Sequence, residues 1–334
     1  MRTLLSALSR FGHRDQPPAP DPAAGRVEGL LSEIAGHLAA LREETRAPHP
    51  AIGRGEGLLS EIAGHLTGLR HGAHLEPNTL FNFLLAHLTA GHDNDPRSLR
   101  RHYGQVYSQN GEDGIIAEIF HRIGGPQSRV FIEIGIETGL QNNTRFLLEQ
   151  GWRGLWIEGS AASAQAAAGI FSRYVESGHL QVAHNMTTPE NVNQIVAGAG
   201  LPAEIDFLSV DIDQQTHFVW EALTTKARVH CIEYNGSIPP SLDLWVPYDP
   251  DSVWDGTNFF GAGLKTMERV GRLKGLNLVG CDLTGLNAFF VDAAVCGDRF
   301  REPYTAEAHY ELPKYRSYWE IGHRPSPGAR SWSR

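Results

Sequence analysis

The chain has 334 residues, 41% of them hydrophobic and 20% charged, with a formal net charge of −9. That composition supports a sizeable core and allows one large domain with an appendage. From Met1 to Gly104 eleven Lys and Arg balance eleven Asp and Glu, so the acidic excess falls on the remainder, which lacks the basic footprint of a polyphosphate partner; nucleic acid is not expected as a substrate.

The three cysteines, Cys231, Cys281 and Cys296, are far apart and form no CxxC pair, which argues against a disulfide framework or a zinc site and for a reducing compartment. No apolar run reaches the length of a membrane span. Arg10 interrupts the apolar part of the opening stretch MRTLLSALSRFGHR well short of a secretory signal, and a cytoplasmic location is expected, with an amphipathic targeting segment as the alternative.

In chain order, residues 1–102 read as a helical repeat region on flexible tethers. The sequence EGLLSEIAGHL occurs twice, at Glu28–Leu38 and Glu56–Leu66, and each copy carries an apolar stripe at helical spacing. Pro48 and Pro50 separate two helices that would otherwise stay in heptad register. Neither can bury its stripe alone, so homo-oligomerisation or docking on a protein partner is expected; packing on its own domain is the alternative. The histidines of this region lack ligand spacing and read as solvated.

Residues 103–322 change to short apolar runs alternating with helical stretches, and 323–334 form a tail. The runs are RVFIEIGI, GLWIEG, LQVAHN, IDFLSVDID, RVHCIEYN, LNLVGCDL and NAFFVDAAV. Helices are expected near Asn142–Gln150, Ala161–Glu176, Pro189–Ala197, Thr216–Leu223 and Gly263–Lys274. Near-continuous apolar strands separated by helices predict an α/β fold with a seven-stranded, mostly parallel Rossmann-like sheet covered on both faces. The last two runs are joined by too short a link for a crossover and predict an antiparallel hairpin at one edge.

In such sheets ligands bind outside the carboxyl ends of the strands. The first run ends in Glu133 and the turn Gly135–Gly139, and the second ends in Glu158. A glycine turn admits a cofactor close to the backbone, and an acid at the second strand end can accept both hydroxyls of a ribose. A dinucleotide fingerprint would require glycine at 137 and 140, where Glu137 and Leu140 stand, and Glu137 would repel a pyrophosphate. The acidic rim suits a cationic adenosine cofactor, S-adenosylmethionine.

The stretches YSQNGEDGIIAEIF, FIEIGIETGLQNNTRFLLEQGWRGLWIEG and IDFLSVDID together resemble the FkbM-type family of S-adenosylmethionine-dependent O-methyltransferases, from about Tyr107 to Val291. Glu133, Gly135 and Gly139 match the family's first motif, and Glu137 stands where Asn is common. The resemblance implies a class I methyltransferase fold, with Glu158 on the ribose and Asn185 against the adenine. It also implies that Ser108–Asp113, including Gln109, covers the methionine moiety and that Asn143 joins the cofactor set.

Methyl transfer to a hydroxyl needs an aligned acceptor and help from a base or a metal. Strands four and five end in Asp211, Asp213, Glu233 and Asn235, four oxygen donors that would suit Mg²⁺ or a similar divalent cation. Alternatively, Asp213 caps the following helix and Asp211 touches the cofactor. His217, at the start of that helix, is the expected base, with Asp211 beside it; a satisfied or solvent-facing histidine is the alternative, and His230 and His184 are weaker rivals.

Between Asn235 and Gly261 lies a long loop whose Trp245, Tyr248, Trp254, Phe259 and Phe260 offer flat faces to a sugar, while Asp249, Asp251, Asp255 and Asn258 offer hydrogen bonds; an aromatic cluster sealing the sheet is the plainer account. The expected activity is O-methylation of a sugar hydroxyl in a surface polysaccharide or glycosylated natural product, so a carbohydrate or glycoside is the expected partner. The alternatives are a methyltransferase for a non-sugar metabolite and a non-catalytic adenosine-binding scaffold.

Overall fold

The computed structural model describes residues 95–334 apart from 315, 318–319 and 327–329. The repeat helices expected before residue 95 lie outside the described residues. Among the described residues, the α-helix α1 (Glu112–Arg122) was not one of those expected from the sequence. Its signals are local: Glu112 and Asp113 in the first turn, His121 and Arg122 in the last, and Gly124 and Gly125 just beyond. Ile115, Ile116, Ile119 and Phe120 give it one fully buried stripe.

The seven apolar runs all form strands: β1 (Val130–Ile134), β2 (Arg153–Glu158), β3 (Leu180–His184), β4 (Glu204–Val210), β5 (Lys226–Glu233), β6 (Leu276–Cys281) and β7 (Asn287–Asp292). The sheet order is β3-β2-β1-β4-β5-β7-β6. β1 to β5 are parallel, whereas β7 runs antiparallel between β5 and the edge strand β6. This is the expected seven-stranded, mostly parallel Rossmann-like sheet, with its antiparallel edge hairpin. Full burial of β1 on both faces accounts for a run that is apolar except for Glu133.

On one face α1, α2 (Arg145–Glu149), α3 (Ala161–Ile170) and α4 (Ser172–Glu176) cover a core that includes Phe131, Trp156, Phe207 and Phe289. On the other, α5 (Val192–Gly198), α6 (Thr216–Ala222) and α7 (Leu264–Leu273) cover Ile132, Ile157, Leu208 and Phe290. The single helix expected over 161–176 is broken at Phe171, which drops into the core and meets Trp156 edge to face at 4.9 Å. Leu99 also belongs to the core, so packing begins before Tyr103. Among the described residues no helix is long and apolar enough to cross a membrane.

Candidate active site

Glu133 and Glu158 lie on one face of the sheet. Glu133 pairs in register with Trp156, and Glu158 is two residues beyond Trp156, so both side chains take the same side at the carboxyl end. Their environments differ. Glu133 is 1% exposed and accepts hydrogen bonds from the Asn142 side chain, the Asn143 and Thr144 N–H groups and the Thr144 hydroxyl. Burial raises its carboxyl to about 7. Trp156 Nε1 donates to Thr144 Oγ1 at 2.7 Å, so one hydroxyl joins β1, β2 and the start of α2. Glu133 therefore shapes the turn from inside and does not present its oxygens to the cleft. The Asn143 amide donates to Ser209 Oγ (3.1 Å) and Cys231 Sγ (3.5 Å), which holds it over β4 and β5.

Glu158 stands half-exposed at the tip of β2. Its Oε2 accepts the N–H groups of Ile136 (3.1 Å) and Glu137 (2.7 Å), and Oε1 accepts that of Ser160 (2.8 Å). One carboxylate thus fixes the glycine turn against the β2 loop and retains lone pairs toward solvent. Gly135 has φ +83°, and a Cβ there would lie 1.7 Å from the Asp211 carbonyl oxygen, so no side chain fits. A Cβ on Gly139 would meet the Trp156 ring at 2.6 Å. Glu137, exposed on this turn, is held at φ +50°.

Beyond β3, Asn185 donates its backbone N–H to the Glu158 carbonyl at 2.9 Å and leaves its side chain exposed. Met186, 68% exposed, folds over Gly159 and makes an apolar shelf beside Glu158. Gln109 is exposed in the loop before α1, where Asp113 Oδ2 gathers the N–H groups of Val106, Tyr107 and Ser108 at 2.7–2.8 Å.

At the tips of β4 and β5, Asp211 and Glu233 hydrogen-bond to each other. Burial, with Asp213 adding like charge, raises Asp211 to about 7; burial, with Asp211 and Asp213 beside it, pushes Glu233 well above the usual carboxylate range. Burial and the charge of Glu137 raise Asp213 to about 6. Glu233 also accepts the Asp213 N–H and the Thr216 hydroxyl, each at 3.0 Å. Asp213 is held at φ +55° inside a 3₁₀ turn, and neither that turn nor α6 has a side-chain cap, so the capping alternative is not realised.

The four-donor cation rim is not assembled. Asn235 is fully buried: both its amide protons go to the carbonyls of Asn258 and Phe260, and its Oδ1 accepts the Ser237 N–H. Among the described residues no group of three or more His, Cys, Asp or Glu is arranged to hold a metal. His217 also departs from its expected place. It is 2% exposed, tilted against Phe218 (3.8 Å between rings) and near Trp245 (6.3 Å), with no hydrogen bond to either ring nitrogen among the described residues. Burial, helped by Arg269, lowers it to about 3, so it stays neutral.

The long loop is built by its own polar residues. Asp255 accepts the Thr257 N–H and hydroxyl and pairs with Arg330, and Asn258 Oδ1 accepts the Ser326 N–H. Phe259 and Phe260 are buried, whereas Tyr248 is exposed, with its hydroxyl on Glu190 and its ring on Phe218. Sequence reasoning did not anticipate Thr144 as the joint of the turn or Gln214, 5% exposed, whose Nε2 donates to the Phe259 carbonyl. Neither lies in a pattern that marks it.

No protein-family model and no curated protein matches the chain. Among solved structures, it is similar to the O-methyltransferase from Bacillus cereus in complex with SAH, at 16% identity over 65% of this chain and 91% of that one, TM-score 0.36. It is also similar to the O-methyltransferase TomG from Streptomyces achromogenes in complex with SAM, at 15% identity over 65% of this chain and 97% of that one, TM-score 0.35. A third likeness is to the N-terminal domain of EvdMO1 in the presence of SAH and D-fucose, at 10% identity over 66% of this chain and 99% of that one, TM-score 0.36.

Proposed function

We propose that the chain is an S-adenosylmethionine-dependent O-methyltransferase whose acceptor is a sugar hydroxyl. The observation that carries this reading is the set of acidic strand tips at one end of a β3-β2-β1-β4-β5-β7-β6 sheet, with Glu158 bridging the glycine turn and the β2 loop. The residues fit the cofactor: Glu158 keeps acceptor capacity for ribose hydroxyls, Met186 gives an apolar shelf for adenine, and exposed Glu137 faces a cation better than a phosphate. When bound, the cofactor supplies an electrophilic methyl group on a sulfonium.

The chain's own part is positioning and proton handling. Asp211, partly exposed at the tip of β4, takes the proton released as the acceptor oxygen gains the methyl. Glu233 holds Asp211 from behind and ties it to Asp213 and Thr216. Exposed Tyr248 and half-buried Trp245 give the acceptor apolar faces. No step is routed through a metal, because the donor set does not fit one, and His217 is not the base.

Titration calorimetry with SAM and SAH, followed by transfer of a labelled methyl group to a panel of monosaccharides, nucleotide sugars and phenols, tests the reading. Micromolar SAH binding that weakens at least about 10-fold, or ~1.4 kcal/mol, in Glu158→Ala is the expected result. Absence of SAH binding removes the enzyme reading; methylation of phenols but not sugars removes the acceptor.

A further inference from the structure

A second recess lies away from the strand tips, between α1 and α2. It is a cavity of about 300 Å³, within the size range of small-molecule sites. Its two ends differ. The deep end is formed by Asp113 (2% exposed) and Asn143 (6% exposed), and the rim by exposed His121, Arg129 and Gln150. The walls between are apolar and largely aromatic: Phe120 and Trp152 stand edge to face at 5.1 Å, joined by Phe146.

Each end has an unmet need. Asp113 Oδ2 already holds three backbone N–H groups, but Oδ1 is buried and lacks a hydrogen-bond partner among the described residues. A buried acceptor without a donor is costly, so this end favours a ligand hydroxyl. At the rim the Arg129 guanidinium makes no hydrogen bond or ion pair among the described residues, and φ +52° fixes its backbone in the left-handed region while its N–H is bound to Asp206. Arg129 and His121 favour an anion there. From Asp113 to His121 the helix advances about 12 Å, which sets the length between the ends.

We propose that this cavity binds an aryl carboxylate with a hydroxyl at its far end. The ring packs against Phe120, Phe146 and Trp152, the carboxylate meets Arg129, and the hydroxyl donates to Asp113. The site stands whether or not the strand-tip cleft transfers methyl groups. Asn143 belongs to both, since it lines the cavity and its N–H holds Glu133.

Titration of the full chain with 3-(4-hydroxyphenyl)propionate tests this, with 3-phenylpropionate and 4-propylphenol as probes lacking one polar end each. Saturable one-to-one binding is expected, weakened several-fold without the hydroxyl and at least about 10-fold without the carboxylate. Arg129→Gln should weaken the carboxylates about 10-fold and leave 4-propylphenol unchanged. Ala117→Trp, on the exposed wall, should block all three probes while the thermal melt stays that of the wild type. No saturable binding by the wild type, equal affinity for 4-propylphenol, or an Arg129→Gln variant that binds the carboxylate as before would each overturn the proposal.

Discussion

His217 shows how much a single side chain depends on what surrounds it. Its place at the start of α6, after an acidic strand tip, fits a base by position alone, yet both ring nitrogens are buried without partners among the described residues. Replacing such a group with an apolar ring removes unmet polar atoms, so His217→Phe should leave the melting temperature unchanged or raise stability by up to ~1–2 kcal/mol, and should keep methyl transfer. The sign with pH follows from linkage. The folded protein keeps His217 neutral down to about 3, whereas the unfolded chain protonates it near 6.5, so the unfolded state binds more protons between those values. The wild type therefore loses stability as pH falls from 6.5 toward 3, and the advantage of His217→Phe should widen over that range in urea melts. An inactive, well-folded His217→Phe enzyme would restore the residue as base. Asp211→Asn carries the complementary expectation: turnover falls about 10²- to 10⁴-fold while SAH affinity stays within a few-fold of the wild type.

At the scale of elements, the strands were readable because a parallel sheet covered on both faces needs continuous apolar runs, and all seven runs pair as strands. α1 was readable in principle from Ile115, Ile116, Ile119 and Phe120, but the polar SQNG stretch before it and its own Glu112 and Asp113 mask the start of the apolar period. The break at Phe171 was not readable, because it depends on the Trp156 ring arriving from β2. The same limit applies to the site. That Glu133 and Glu158 stand at strand ends is a matter of pattern; that the 142–144 turn folds back over Glu133 is a tertiary fact. This turn has a critical joint. Thr144→Val keeps the shape but leaves Trp156 Nε1 without its acceptor and removes a donor from Glu133. The expected cost is ~1–3 kcal/mol in chemical denaturation, with weaker SAH binding because the 142–144 turn no longer closes over Glu133. A Thr144→Val protein as stable as the wild type would show that the joint contributes little.

Over the whole molecule, the carboxyl end of the sheet is closed by segments distant in sequence. The 243–262 part of the long loop is joined to the last residues of the chain: Trp245 bridges both Ala262 and Ser333, Phe259 meets Trp332 edge to face at 4.7 Å, Asp255 pairs with Arg330, and Thr257 bridges Arg324. Read from sequence, residues 323–334 look like a tail and the loop looks like a binding surface, because neither shows the apolar period that marks an element; their order comes from each other. From below, Asn235 and Gln214 hold the loop through the carbonyls of Asn258, Phe259 and Phe260. The loop is thus fixed from two sides, and removing one separates their roles. Truncation after Ile321 deletes the upper contacts and leaves Glu158, Met186 and the glycine turn untouched. Amide exchange over 243–262 should then rise by at least about 10-fold, equivalent to ~1.4 kcal/mol of lost local protection, while SAH affinity stays within about 3-fold. Unchanged exchange would mean that Asn235 and Gln214 suffice to order the loop. A collapse of SAH affinity would mean that the terminal residues reach the cofactor cleft itself.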